Sequence, residues 1–177
     1  KKFKKELIKN LKSNVNIIVT SGAVSAGKYD FVPNVIKKFK LKNYFKGVTI
    51  RPGKPITFAK FIKNKVFFGL PGNPISSAAC FRFFILPFLI RSLEMAKEKP
   101  IYARLKNSFL KKKNFTRFIK GKLNTTKKGT TEFEVLKGQE SFKINSLVKA
   151  NSWALFPSGK SSLKRGDIVE CYLISPF

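Results

Sequence analysis

Residues 16–30, NIIVTSGAVSAGKYD, decide the fold. NIIVT (16–20) is a short apolar run rich in β-branched residues and predicts a buried strand. SGAVSAG (21–27) is small and glycine-rich, and Asp30 is a natural N-cap for a helix running to about Phe39. Strand, small-residue loop and helix make an α/β unit whose loop lies at the carboxyl edge of a parallel sheet, where ligands bind. Small residues let backbone N–H groups approach an anion, and the helix adds the positive end of its dipole. Ser21 and Ser25 offer hydroxyls beside Gly22 and Gly27. A helix end alone contributes only about 0.3–1 kcal/mol when exposed, so hydroxyls, backbone and a metal must add to it. The same pattern also serves an ordinary strand-to-helix connection.

Upstream, Phe3, Leu7 and Leu11 recur every four residues among lysines, the apolar stripe of a surface helix. Downstream, 48–50 and 56–61 read as strands on either side of RPGKP (51–55), and 66–68 leads as a strand into GLPGNP (69–74). Asn73 can cap the next helix with Pro74 in its first position, where the missing N–H costs nothing. Phe81, Phe84, Ile85 and Phe88 supply its expected buried face, and Pro87 is expected to kink it near its end. The character changes around 97–100. Short alternating runs such as 131–136 and 167–174 then predict a small β domain, with Val169, Cys171 and Leu173 facing its core and 127–129 at a hairpin tip. The expected organisation is an α/β domain over 1–98 and a β domain over 99–177.

Arg51 and Lys54 place a guanidinium and an ammonium around a Pro-Gly turn, an arrangement suited to a phosphate or another oxyanion. In a chain with 37 lysines and arginines, two cations at a turn are also what chance provides. Pro71, Gly72, Asn73 and Pro74 fix an unusual path into a helix N-terminus, either a second anion-binding end or a plain helix-entry turn.

Composition excludes several classes. There is no histidine, so His triads and His metal ligands are ruled out. Cys80 and Cys171 lie far apart, without the spacing of a disulfide framework or a zinc site, and read as buried thiols. The net charge of +28 attracts polyanions, but only six of the basic residues are Arg. A scattered, lysine-dominated pattern suits a solvated surface better than a base-reading one, which argues against nucleic acid as a partner. The longest apolar stretch, 78–90, contains Arg82 and Pro87, and residues 1–12 lack the apolar core of a signal peptide. The expectation is a soluble, cytoplasmic protein without a membrane partner.

The three motifs together, in this order, resemble the SGGVSVG…D, KPGKP and GLPGNP segments of the MoeA-type molybdopterin molybdotransferases and of the corresponding gephyrin domain. GQES (138–141), LVKAN (147–151), 155–157 and RGDIVE (165–170) look like that family's C-terminal β domain, so the likeness covers essentially the whole chain. It implies a MogA-like, three-layer molybdopterin-binding α/β domain followed by a small β-barrel-like domain. It further implies that molybdate enters the dithiolene of adenylylated molybdopterin with release of AMP and with Mg²⁺ as cofactor. The family's site then falls on Asp30 as catalytic and metal-binding acid, on Arg51 and Lys54 for anions, on Pro71 and Pro74 for the shaped loop, and on Ser141 of the β domain. By the same resemblance the full-length protein is a homodimer.

The chain departs from the family pattern in places. Ala23 and Ala26 replace the more usual Gly and Val, Arg51 replaces Lys, and Gly47 stands where some members carry a further lysine. Nothing matches the family's acidic TGDE-type segment, which leaves Asp30 as the one obvious metal-site carboxylate. The abrupt start at a helix, without an initiator Met, reads as a fragment that by itself can lack activity. Three other readings stand beside the transferase. An adenylyltransferase-like protein shares the first domain but needs neither RPGKP nor residues 100–177. A basic polyanion- or RNA-binding module predicts affinity that falls steeply with salt. A scaffold predicts peptide binding without pterin.

Overall fold

The computed structural model describes residues 2–22, 31–62 and 64–175. In chain order its elements are α1 (Lys2–Lys12), β1 (Ile17–Ser21), α2 (Val32–Ile36), β2 (Leu41–Lys46), β3 (Ile50–Arg51), β4 (Thr57–Phe61), β5 (Val66–Leu70) and α3 (Pro74–Cys80). A π-helical turn (Phe81–Ile85) follows, then α4 (Leu86–Ser92), β6 (Ile101–Leu105), β7 (Phe109–Leu110), β8 (Thr116–Thr125) and β9 (Thr131–Val135). The last elements are α5 (Asn145–Lys149), β10 (Ser152–Phe156), β11 (Ser162–Leu163) and β12 (Ile168–Leu173). Two compact units result: Lys1–Val48 with Gly53–Phe81, and Thr49–Pro52 with Arg82–Phe177. By contact, the strand at the start of RPGKP groups with the C-terminal residues.

The first unit is built on a four-stranded mixed sheet of order β1-β5-β4-β2. β1 and β5 run parallel, with Ser21 opposite Leu70, while β4 is antiparallel to both β5 and β2. All five residues of β5 are buried, as a strand covered on both faces requires. One face packs Leu7 of α1 and Val32 and Ile36 of α2 against Ala59, Phe61 and Phe67. Leu7 is 2% exposed, and burying such a side chain contributes about 1.5–3 kcal/mol. Phe3 meets Phe67 edge-on at 6.3 Å, so the expected α1 stripe is the buried one. Phe45, Phe58 and Phe68 form an aromatic ladder, with centroids 5.4 and 5.1 Å apart along it.

One strand goes unread in the sequence and one helix departs from its expected bounds. β2 was hidden in LKNYFK because lysine and asparagine break its alternation; cross-strand pairing with β4 overrides that weak propensity. α2 ends at Ile36, not at Phe39, and its N-cap is Phe31 with no side-chain cap; Pro33 in the first turn sets the helical φ instead. The expected cap, Asp30, lies outside the described residues.

In the second unit β10, β12, β6, β9 and β8 form a ring that closes because β10 pairs with β8 as well as with β12. Closure leaves few free edges, and β3 adds in parallel to the start of β8, upstream of the stretch that β9 occupies. Ala103, Leu105, Ile119, Phe133, Val135, Ala154, Phe156, Val169 and Cys171 fill the interior. Val169 and Cys171 are buried as expected, whereas Leu173 is 36% exposed at the strand's end. The turn between β8 and β9 contains 127–129, the expected hairpin tip. Gly121 is required in β8: a Cβ there would sit 2.1 Å from the Phe133 ring and 2.5 Å from the Glu134 carbonyl oxygen.

The long helix departs from its expected face. Phe81 is 48% exposed and Arg82 only 4%, because the π-helical turn inserts an extra residue and rotates everything after it. The turn precedes Pro87, which cannot donate to the carbonyl one turn back, so the interruption lies upstream of the proline. By length and composition Pro74–Ser92 could cross a bilayer. Its Ile75, Ala79, Cys80, Arg82, Ile85 and Ile90 are buried within the protein.

Candidate functional site

β1 and β5 deliver two of the three motifs to one place. Because they are adjacent and parallel, their carboxyl ends carry Ser21-Gly22 and GLPGNP side by side. Gly22 N–H donates to the Leu70 carbonyl at 2.9 Å, and Ser21 Oγ donates to the Pro71 carbonyl at 3.4 Å. Gly22 has φ +87°, a left-handed conformation that disfavours any side chain. A Cβ on Gly72 would touch Gly22 Cα at 3.5 Å, so the two glycine backbones lie against each other.

The GLPGNP turn is fixed from both sides. Pro71 is buried, and its carbonyl also accepts from Ser77 Oγ on the first turn of α3. Asn73 caps that helix, its Oδ1 accepting from Ser76 N–H at 3.1 Å, and Pro74 follows in the first turn. Gly72, Asn73 and Pro74 remain wholly or partly exposed, so the turn is both rigid and accessible. Thr20 Oγ1, at the end of β1, is shielded and has no hydrogen-bond partner among the described residues.

RPGKP is held by its backbone. Val48 N–H donates to the Lys54 carbonyl at 2.9 Å, and the buried Cys80 thiol points its Sγ at the Gly53 carbonyl, 3.5 Å away. The Lys54 side chain is exposed. The Arg51-Pro52 peptide is cis, and Arg51 itself lies on β3, in register with Arg117 of β8.

Ser141 sits half-buried in the turn after Gly138–Glu140, and that turn is clamped by a lysine. Lys120, 1% exposed, donates from Nζ to the carbonyls of Gly138 at 3.0 Å and Glu140 at 3.4 Å. Gln139 ties its amide to the Lys120 backbone in both directions, at 3.0 and 2.7 Å. Burial pushes the Lys120 ammonium down to about pKa 8; Glu140 acts against this shift and Arg117 with it.

Of the residues singled out in the sequence, Ser21, Gly22, Pro71, Gly72, Asn73 and Pro74 are thus brought together, with Lys54 in the same unit. Arg51 and Ser141 belong to the second unit. Ser25, Gly27 and Asp30 lie outside the described residues. Sequence reasoning passed over Ser77, Thr20, Lys120 and Arg117. Ser77 was findable as the residue four beyond Asn73 on a capped helix, whereas the two cations are lost among 37 until strand pairing selects them. Among the described residues no three His, Cys, Asp or Glu side chains gather as metal ligands.

Residues 1–91 match the family described as "Probable molybdopterin binding domain", and residues 102–174 match the "MoeA C-terminal region (domain IV)". Molybdopterin molybdenumtransferase of Synechocystis sp. is 32% identical over 162 residues, 91% of this chain and 39% of that protein. The enzyme of the same name from Staphylococcus aureus (strain COL) is 32% identical over 171 residues, 95% of this chain and 40% of its own length. The chain therefore spans about two fifths of the relatives it matches. The crystal structure of the molybdopterin biosynthesis MoeA protein from Pyrococcus horikosii superimposes with a TM-score of 0.73 at 28% identity, covering 99% of this chain and 41% of that one. A molybdenum cofactor biosynthesis protein from Pyrococcus furiosus, at 21% identity and TM-score 0.71, shares the fold and covers 97% of this chain and 53% of its own. With both domains matched in order on a MogA-like α/β unit and a closed β unit, the chain belongs to the MoeA family, of which it carries the molybdopterin-binding domain and the C-terminal region.

Proposed function

We propose that this chain is the part of a molybdopterin molybdenumtransferase that binds the pterin substrate and molybdate in molybdenum cofactor biosynthesis. The observation that carries the proposal is the GLPGNP turn locked against Ser21-Gly22 at the carboxyl ends of two adjacent parallel strands. Such an edge offers backbone donors, a serine hydroxyl and a helix N-terminus to an anionic ligand, and the glycine contact leaves the backbone bare. Lys54 and Arg51 are the cations for molybdate and for the leaving phosphate, and Ser141 is a further polar contact.

In the proposed reaction the phosphoanhydride of adenylylated molybdopterin is cleaved, AMP leaves, and molybdenum is bound by the dithiolene. The protein's part is to hold both anions in a fixed orientation while negative charge develops on the leaving phosphate. Asp30 is proposed as a magnesium ligand, and the metal when bound would polarise the phosphoanhydride. The described residues do not make a magnesium site by themselves, so any such site draws on Asp30 and on groups beyond them. A cytoplasmic location and a homodimer of the longer protein belong to the same proposal.

The deciding experiment is molybdate-dependent AMP release from adenylylated molybdopterin by the full-length gene product, with Asp30→Asn as control. AMP that appears only with molybdate, and is lost in the control, supports the transferase. AMP that never appears, together with RNA binding of steep salt dependence, overturns it in favour of a basic binding module.

A further inference from the structure

At the edge of the first unit's sheet opposite the GLPGNP turn, where β1 and β5 begin and β4 ends, a groove of about 280 Å³ opens beside α1. Its floor is apolar: Ile8 and Leu11 come from α1, Phe39 from the segment after α2, and Phe61 and Ile62 from the end of β4 and the residue beyond it. Phe61 is buried and meets Phe39 edge-on at 6.0 Å, which sets one wall. Ile62 is 50% exposed, an apolar side chain left standing at the lip. Such a surface offers little to a polar ligand and rewards methylene groups, each worth about fourfold in affinity when fully buried.

The rim is cationic. Lys12, Lys40 and Lys65 line the groove, and no carboxylate lies among the lining residues. Lys65 is 9% exposed, and its Nζ donates to the carbonyls of Ser13 and Val15, both at 2.5 Å. An ammonium carries three donors, so one N–H is left over. None of the ion pairs among the described residues reaches Lys12, Lys40 or Lys65; they join Arg82 to Glu98, Lys106 to Glu134 and Lys143 to Glu140. A shielded cation met only by neutral carbonyls keeps an uncompensated charge, which an anion relieves. Lys12 and Lys40 are exposed and by themselves would be ordinary solvated lysines; beside Lys65 they add to one positive field over an apolar floor.

That combination selects a molecule apolar along its length and anionic at one end. At about 30 Å³ for each water-sized group, the groove holds about eight to ten heavy atoms, a single short chain and not a two-tailed lipid or a folded peptide. We propose that it binds a free monocarboxylate with one unbranched hydrocarbon tail, the tail lying along Ile8, Leu11, Phe39 and Ile62 and the carboxylate at Lys65. This site lies at the opposite edge of the sheet from the pterin- and molybdate-binding edge proposed above and is independent of it.

The test is calorimetric titration of the whole protein with sodium hexanoate, octanoate and decanoate below their micellar concentrations. Octanol and octylammonium chloride present neutral and cationic heads on the same tail. Affinity is expected to rise about twofold or more with each added methylene until the groove is filled, and octanol and octylammonium to bind at least about fivefold more weakly than octanoate. Lys65→Met and Ile62→Asp are each expected to weaken octanoate by about fivefold or more. Lys128→Gln, which removes a charge from the exposed turn between β8 and β9, is expected to change it by less than about twofold. If Lys128→Gln costs as much as Lys65→Met, or if the three tails bind alike, the overall charge of +28 and not the groove holds the carboxylate, and the inference falls. It falls too if nothing binds, as when another segment of the longer protein fills the groove. Should Lys65→Met fail to fold, Lys40→Gln and Ile62→Asp decide: a loss of octanoate binding in either supports the site, and binding that both leave unchanged overturns it. None of these outcomes bears on the transferase reading.

Discussion

The Arg82 guanidinium meets the Glu98 carboxylate at 2.5 Å and also donates from Nε to the Leu173 carbonyl at 2.7 Å. Phe83 and Tyr172 lie within 5.6 Å of the same cation, so one side chain joins the π-helical turn, the segment before β6 and the end of β12. Removing one partner of a shielded pair leaves the other uncompensated. Glu98→Ala, which strands the buried Arg82 cation, is expected to destabilise the protein by roughly 3 kcal/mol, and Arg82→Met by less because the Glu98 it leaves behind is partly solvated. Urea denaturation of the two variants measures both.

Gly121→Ala is expected to be among the most damaging single-atom additions. The new methyl would have to displace the Glu134 backbone as well as the Phe133 ring, and backbone does not yield cheaply. A loss of about 1–3 kcal/mol or more is expected, read from the denaturation midpoint.

Lys120 makes stability depend on alkaline pH, with a sign opposite to the usual lysine case. Its folded pKa is depressed from 10.5 to about 8, with burial as the main cause. The folded state therefore binds fewer protons than the unfolded one between these values, and stability rises with pH across that window. The gain is on the order of 3 kcal/mol. Below about 8 the ammonium is charged in both states and its full cost is present. Lys120→Met, compared with the unmutated protein from pH 7 to 10.5, is expected to lose most of this slope.

Cys80 and Cys171 are pushed up to about pKa 12 by burial. At pH 8 almost no thiolate forms, so a thiol reagent is expected to label neither residue in the native protein and both after unfolding.

Asn73→Ala removes the one side chain that caps α3, at the turn central to the proposed function. A cost of about 1 kcal/mol is expected, with α3 amides at 75–77 exchanging faster in deuterium.

How much of this was legible depended on whether the signal was local. β1, β5 and the Asn73-Pro74 helix start could be read because a β-branched run and a cap-proline pair are written in consecutive residues. The hairpin around 127–129 was visible for the same reason. The exposed Phe81 and buried Arg82 were not, because the π-helical turn shifts phase without a residue type of its own. β2 was masked by its lysines, and only the pairing with β4 makes it a strand. Arg117 and Lys120 are two lysines and arginines among 37, and what distinguishes them is the strand opposite, which local pattern does not encode. Ser25, Gly27 and Asp30, prominent in the sequence, lie outside the described residues.

β3 has a consequence for how this protein can be cut. Its two residues come from the middle of the first unit's sequence, yet they cover the opening stretch of β8 that β9 does not reach. A gene truncated to begin at residue 82 would therefore yield a barrel with one seam unstitched at Thr116 and Arg117, a bare strand end open to adventitious pairing with another molecule. Carrying a separate 47–53 peptide, or grafting that segment onto the truncated chain, is the repair that the topology itself prescribes.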